Sequence, residues 1–479
     1  MKNRINRSVL YILLSYYVVD AQARIQKTGE TFEHFMLLDT NRFIGHSALE
    51  WIVLFFVLFL VMNSHLSKTS DLKKLLPLLY GMLALSLVSI VVVADDKVVG
   101  LRTAFVYLRP VVIFLLVASM SWAERDLASA VKFVGTFFVI NLVVAYFQML
   151  VLGYRTDDLS GFMDDAHVFA FFMYSGILYC IARYWVTKEL KHLAFVPVIL
   201  VPTLVASADK ITILMIPAIL LLYRSFHELS LKKVVKGIAV AFVLCVIILV
   251  LFFSFPEMWQ QALLGDLGRF SDLLTFENIP LILSQVRLFD GYWNIPWHYV
   301  KYPHAAFVGV GPGMYGSAEA LADFLDITTR EHFGGLAESP LKNFALGGSY
   351  FLENQSLFST MTTSFASSDI IVLLLEFGLV FSFLYFKFWK SLYKFSMGFK
   401  DSDLSPGIRT LLLWFQAYMI LVLLLGFITF QDGIVKASNT YPFMIIGAIM
   451  FRTLSNWKRE VGSVEGREMG HEFLHARQV

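Results

Sequence analysis

The chain is short of two things that soluble enzymes usually have, charge and cysteine. Of its 479 residues, 16% are charged and 57% are hydrophobic, whereas an average soluble domain has about 25% charged residues. The two cysteines, Cys180 and Cys245, both lie in apolar runs. The composition excludes a disulfide framework and a cysteine-based metal site, and it indicates an all-α protein that crosses a membrane many times.

Internal repeats and low-complexity tracts are also lacking, so the chain has to be divided by hydropathy. About 20 mostly apolar residues are needed to cross a bilayer as a helix. On this basis the sequence predicts about 12 transmembrane helices. They lie near residues 8–19, 47–63, 75–94, 103–122, 130–153, 166–186, 194–207, 211–226, 234–254, 368–389, 408–430 and 437–453.

The first apolar run has two interpretations. Lys2, Arg4 and Arg7 precede it, and "AQA" at residues 21–23 follows it, which is the layout of a cleaved signal peptide. We favour a retained first span, because multi-span proteins seldom need a cleaved signal. Either interpretation places the beginning of the chain on the cytoplasmic side.

The distribution of positive charge predicts the topology. With alternating spans, most of the 39 lysines and arginines fall on the cytoplasmic side, as the positive-inside rule requires. The prediction divides the chain into nine spans (1–254), a large external loop (255–367), three spans (368–453) and a cytoplasmic tail (454–479). The net charge of +2 gives no reason to expect a nucleic-acid partner.

A glycine-rich stretch in the external loop, "FVGVGPGMYG", fits a nucleotide-binding pattern. Gly311, Gly313 and Gly316 match G-x-G-x-x-G. A dinucleotide-binding turn, however, follows a strand and opens a helix in the cytosol. With Gly309 and Pro312 nearby, the stretch is better interpreted as a tight turn, which is either purely structural or lines a ligand site.

Four basic residues could form a cationic pocket at the outer membrane interface. Arg109 lies within the fourth span and Arg102 at its external start, Lys210 lies at an external turn beside Asp209, and Arg287 lies in the loop. Charges at membrane depth are costly and commonly functional, and guanidinium groups bind phosphates in a bidentate manner. The alternative is snorkelling and local pairing, for example of Lys210 with Asp209.

Aromatic residues are concentrated in "YWNIPWHYVKYPH", which begins at Tyr292. Trp293, Trp297 and Tyr299 could stack on sugar rings, or they could anchor the loop at the interfacial belt. His298 and His304 do not have the spacing of a helical pair of metal ligands, so no metal is predicted.

A carboxylate lies at the external start of the tenth span, in "SSDIIVLLLEFG". Asp369 could act as a general base there, or it could cap the helix. Glu376 lies about two helical turns deeper.

The order of these pieces resembles that of the bacterial O-antigen ligase and polymerase superfamily, over roughly residues 100–430. Lys210 in "SADK" stands where the family has a basic residue before a span. Arg287, followed by aromatics and a glycine-rich turn, is similar to the family's loop pattern. Glu376 and Gly378 match its Glu-x-Gly motif. The resemblance implies a glycosyltransferase-C type bundle with one large periplasmic loop, in the bacterial inner membrane.

The same motif separates two branches of the superfamily. Ser367 and Ser368 stand where the ligases have His-Asn, and Asp369 fits the polymerase variant better. The resemblance therefore favours a Wzy-type polymerase of lipid-linked repeat units. The alternatives are an O-antigen ligase, which transfers polymer to a lipid A core or a protein, and a flippase or other transporter.

The polymerase interpretation implies roles for the residues. The donor would be a glycan on undecaprenyl diphosphate, and the transfer would be inverting, without a metal or other cofactor. The catalytic residues would be Arg287 and a base, Asp369 or His304. The diphosphate would be bound by the four basic residues above, and the glycan by Trp293, Trp297 and Tyr299. The implied partner proteins are a chain-length regulator and a flippase.

Overall fold

A computed structural model of the chain describes part of the sequence, and all of the elements in that part are helical. The described residues are 70–94, 97–154, 159–162, 166–206, 295–296, 299–300, 303–309, 311–312, 369–399, 404–428 and 442–458. No strand occurs among them, so the predicted all-α fold is confirmed for this part of the chain. Most of the external loop and the predicted spans at 8–19, 47–63, 211–226 and 234–254 lie outside it.

Besides short helical pieces at residues 295–296 and 299–300, the described residues form nine helices, and eight of these overlap a predicted span. They are α1 (Ser70–Val92), α2 (Lys97–Ser119), α3 (Glu124–Leu150), α4 (Ala166–Thr187), α5 (Lys191–Ala206), α6 (Ala305–Val308), α7 (Asp369–Met397), α8 (Pro406–Ile428) and α9 (442–458). The exception, α6, is a short helix of the loop at residues 255–367, whose external position stays a prediction.

Five of these helices are long and apolar enough to cross a membrane. The qualifying stretches are Leu72–Val92, Glu124–Leu150, Phe169–Thr187, Ile370–Met397 and Pro406–Leu423. Two shorter apolar stretches, Thr103–Ser119 and Lys191–Ala206, lie in α2 and α5. The described residues thus support a membrane protein with several crossings, and the count of 12 stays a prediction.

Several polar groups in these helices bond to backbone groups within the same helix or at its start. At the start of α3 the Asp126 carboxylate accepts a hydrogen bond from the backbone N–H of Ala123 (3.0 Å), and its charge favours the helix N-terminus. Deeper hydroxyls bond to the preceding turn, as Thr203 does to the Ile199 carbonyl (2.6 Å). Such bonds are what allows Ser and Thr to lie in a span.

The core is built around α2 and is rich in aromatic contacts. Phe114 of α2 packs on Phe388 of α7 and Phe451 of α9, with ring centroids 5.8 and 5.5 Å apart. On the other side of the bundle, the Trp414 indole of α8 donates to the Ser175 carbonyl of α4 (2.9 Å). The helix α7 therefore contacts α1 and α2, which precede it in the chain, as well as α8, which follows it.

Candidate functional site

The helix α7 consists of two helical segments joined at Gly378. This residue has φ 82° and ψ 173°, which is far from helical and lies in a region that favours glycine. A break of this kind separates the carbonyls of the preceding turn, residues 374–377, from the N–H groups that would otherwise bond to them. Inside a membrane protein those carbonyls need other donors.

The loop between residues 255 and 367 supplies two of these donors. The backbone N–H of Gly311 donates to the Glu376 carbonyl (3.2 Å), and the Tyr299 hydroxyl donates to the Leu374 carbonyl (2.5 Å). Residues 303–309 and 311–312, which we call the docked segment, thus lie directly on the break in α7. Burial raises the pKa of the Tyr299 phenol, so its hydroxyl stays protonated and can donate.

Two glycines make the close approach possible. At Gly309 (φ 69°) an added Cβ would lie 2.1 Å from the Glu376 carbonyl oxygen. At Gly378 an added Cβ would lie 2.9 Å from both the Ala305 oxygen and the Gly309 nitrogen. The backbones of the loop and of α7 are therefore in direct contact, and neither glycine has room for a side chain.

The docked segment also reaches the neighbouring ends of α1 and α2. The Ser89 hydroxyl donates to the Val308 carbonyl. The Pro312 carbonyl lies 3.3 Å from where a Cβ on Gly100 would be. The segment therefore covers the point where α1, α2 and α7 meet.

A buried carboxylate lies at the break. Glu376 is completely buried, and the ring of the next residue, Phe377, contacts Tyr107 of α2 with centroids 5.4 Å apart. Arg109 is also buried, with 6% of its surface exposed. It follows Tyr107 by two residues, a step of about 200° around the helix.

The structure brings some of the predicted site residues together and leaves others apart. Tyr299 and His304 both belong to the part of the loop at the break, and His304 is exposed just before α6. Asp369 is the first residue of α7, about 13 Å from Gly378 along the helix. Arg102 lies in the second turn of α2. The predicted residues Lys210, Arg287, Trp293 and Trp297 lie outside the described residues.

Sequence reasoning left three residues out of the predicted site. Glu376 and Gly378 were recognised as a motif, and Gly309 as part of a turn, but the contact between them was not predicted. The signal in the sequence was Gly378 itself: glycine is the residue that best tolerates a positive φ, and here it interrupts an otherwise continuous apolar helix. Among the described residues, no group of three His, Cys, Asp or Glu side chains could hold a metal ion.

Comparison with known proteins adds no family assignment. No protein-family model matches the chain, and no curated protein matches it. The resemblance to the ligase and polymerase superfamily therefore rests on the sequence motifs and stays a prediction.

Proposed function

We propose that the protein is a glycosyltransferase that polymerises lipid-linked oligosaccharides in the bacterial inner membrane. It joins undecaprenyl-diphosphate-linked repeat units into an O-antigen or exopolysaccharide at the periplasmic face. The acceptor is a hydroxyl of a second repeat unit, and the transfer is inverting and independent of metal.

The main support is the contact between two motifs that are far apart in the sequence. The glycine-rich turn of the loop and the Glu-x-Gly motif of α7 were singled out separately. The hydrogen bond from Gly311 to Glu376 and the fit of Gly309 against Gly378 join them into one structural unit. Two unrelated chance matches would have no reason to meet in this way, so the contact supports the superfamily resemblance.

The distribution of charge supports a periplasmic location of this unit. Arg125 lies in the first turn of α3, next to the end of α2, and Lys188 and Lys191 lie between the end of α4 and the start of α5. The docked segment lies at the opposite ends of the helices, near Ser89 at the end of α1. Under the positive-inside rule, the basic links are cytoplasmic and the docked segment is periplasmic.

The proposed reaction needs cations and a proton acceptor. The acceptor oxygen forms a bond to the anomeric carbon, while the bond from that carbon to the diphosphate oxygen breaks and the diphosphate leaves with the electron pair. Arg287, Lys210, Arg109 and Arg102 stabilise this charge, because fixed cations in a site of low dielectric are effective there. The proton of the acceptor hydroxyl goes to Asp369 or His304.

The reaction can be tested with purified protein and lipid-linked repeat units, using product length as the readout. We expect a ladder of polymers from the parent protein and none from Arg287→Ala. Both proteins should still insert in the membrane. Arg409→Ala is a suitable control, because Arg409 is exposed at the start of α8 on the predicted cytoplasmic side. Normal chain lengths from Arg287→Ala would contradict the assignment of that residue.

Deletion of the gene separates the three candidate functions. Loss of a polymerase leaves single repeat units on the lipid carrier at the periplasmic face. Long polymer that persists on the carrier would identify a ligase instead, and units retained on the cytoplasmic face would identify a flippase.

A further inference from the structure

We propose that α7 is a two-state element controlled by the docked segment. With the segment docked, the helix is broken at Gly378. With the segment released, α7 is a continuous helix. The proposal concerns the fold of α7 and does not depend on the reaction that the protein catalyses.

In the docked state the loop acts as a cap for the first half of α7. The Leu374 and Glu376 carbonyls belong to the last turn before the break, where a helix leaves its carbonyls without helical partners. Tyr299 and Gly311 bond to these two carbonyls. The broken form of the helix is thus stabilised by the same contacts that hold the loop in place.

The released state can satisfy the same carbonyls without the loop. Glycine takes helical and positive φ values about equally well. If Gly378 became helical, the Leu374 carbonyl would accept from the Gly378 N–H, and the Glu376 carbonyl from the N–H of Val380. Each carbonyl therefore has one partner in each state, so the cost of leaving a buried acceptor without a donor does not oppose the exchange.

The two states exclude each other because they compete for the same acceptors. In a continuous helix, the Glu376 carbonyl points along the helix axis toward the next turn and is no longer available to Gly311. Release also removes the bond from Ser89 to Val308 and uncovers the meeting point of α1, α2 and α7. Opening of the loop and straightening of α7 are therefore one event.

The substitution Gly378→Ala should shift the balance toward the continuous helix. Alanine strongly disfavours positive φ, and its Cβ would collide with the docked segment. The loop position can be followed with cysteines at Val88 and Phe307, which are exposed neighbours of the bonded pair Ser89 and Val308. Cys180 and Cys245 are replaced by alanine in this background.

We expect a short bismaleimide to cross-link the cysteine pair efficiently in the parent protein. In Gly378→Ala the yield should fall by roughly fivefold or more, the factor expected from the cost of a positive φ in a non-glycine residue. Hydrogen exchange of the amides of residues 378–380 should become slower, because they enter a continuous helix. The control Gly135→Ala, which has open space around its Cβ, should change neither readout.

A second variant acts from the loop side and leaves α7 untouched. Tyr299→Phe removes one of the two donors and should also lower the cross-linking yield, whereas Tyr80→Phe, at an exposed position of α1, should not. An unchanged yield in Gly378→Ala would overturn the proposal. A lower yield with faster exchange at residues 378–380 would also overturn it, because it would indicate local unfolding.

Discussion

At Gly309 the backbone of the loop passes so close to α7 that it leaves no space for a side chain. An added Cβ would meet three backbone atoms of Glu376 and Phe377 within 2.7 Å. Helix backbone cannot move aside as the end of a flexible side chain can. The positive φ of 69° adds a second, independent requirement for glycine.

We therefore predict that Gly309→Ala displaces the docked segment and destabilises the protein by roughly 1–3 kcal/mol, the cost of a strained backbone position. Thermal unfolding of the purified protein in detergent measures the effect. Gly407→Ala is the matched control, since nothing lies within 4 Å of the Cβ position at Gly407. Equal unfolding temperatures for the two variants would contradict the close approach.

The sequence predicts which residue types form this site better than it predicts which side of each helix faces its neighbour. The turn at Gly311 and Pro312 and the Glu-x-Gly motif are visible in the sequence because glycine and proline have restricted uses. The side of α2 that faces α7 is not visible, because nothing in "YLRPVV" says that Tyr107 meets Phe377. That choice is made by the packing of Tyr107 on Phe377, which is a contact between distant parts of the chain.

Among the helices, the link between α1 and α2 shows why the ends of spans are hard to predict. The fourth span was predicted to begin near residue 103, with Arg102 at its external start. In the structure α2 begins at Lys97. The Lys97 ammonium donates to the carbonyls of Val91 (3.1 Å), in the last turn of α1, and of Ala94, just after it, so this charge caps one helix while it begins another.

The connection after α3 turns back along the helix and is held there by two amide side chains. Gln148 both donates to the Gly161 carbonyl (3.0 Å) and accepts from its N–H (2.7 Å). Asn141, a further two turns into the helix, accepts from the N–H of Phe162 (2.7 Å). The backbone groups of Gly161 and the N–H of Phe162 are thus satisfied next to a candidate span, as the interior of a membrane requires.

We predict that Gln148→Leu destabilises the protein by roughly 1–3 kcal/mol, because it leaves two partly buried backbone groups without partners. Thermal unfolding in detergent is again the measurement. Thr136→Val should have a much smaller effect, because the Thr136 hydroxyl is exposed and bonds within its own helix, to Lys132. If the two variants unfold at the same temperature, the amide side chain does not hold the connection.

At the scale of the molecule, exposed apolar faces agree with a bilayer around the described helices. Large side chains of α1 and α3 lie on the outside of the bundle, among them Tyr80, Val91, Val143 and Phe147. In water such a surface would be an aggregation hazard, and in lipid it is the expected one. Composition alone predicts this property, because it depends on summed hydropathy. The number of crossings depends on individual boundaries and is less accessible from the sequence.

The sidedness of the bundle gives a direct test of the topology. Leu152, just after α3, and Leu190, between α4 and α5, lie at opposite ends of α4 and are both exposed. Lys188 and Lys191 flank Leu190, so the positive-inside rule places that link in the cytoplasm and Leu152 in the periplasm.

In a background without Cys180 and Cys245, an impermeant maleimide should label Leu152→Cys in spheroplasts, and should label Leu190→Cys only after lysis. Labelling of both cysteines before lysis would show that α4 does not cross the membrane. The reverse pattern would place the docked segment in the cytoplasm, where periplasmic polymerisation could not use it.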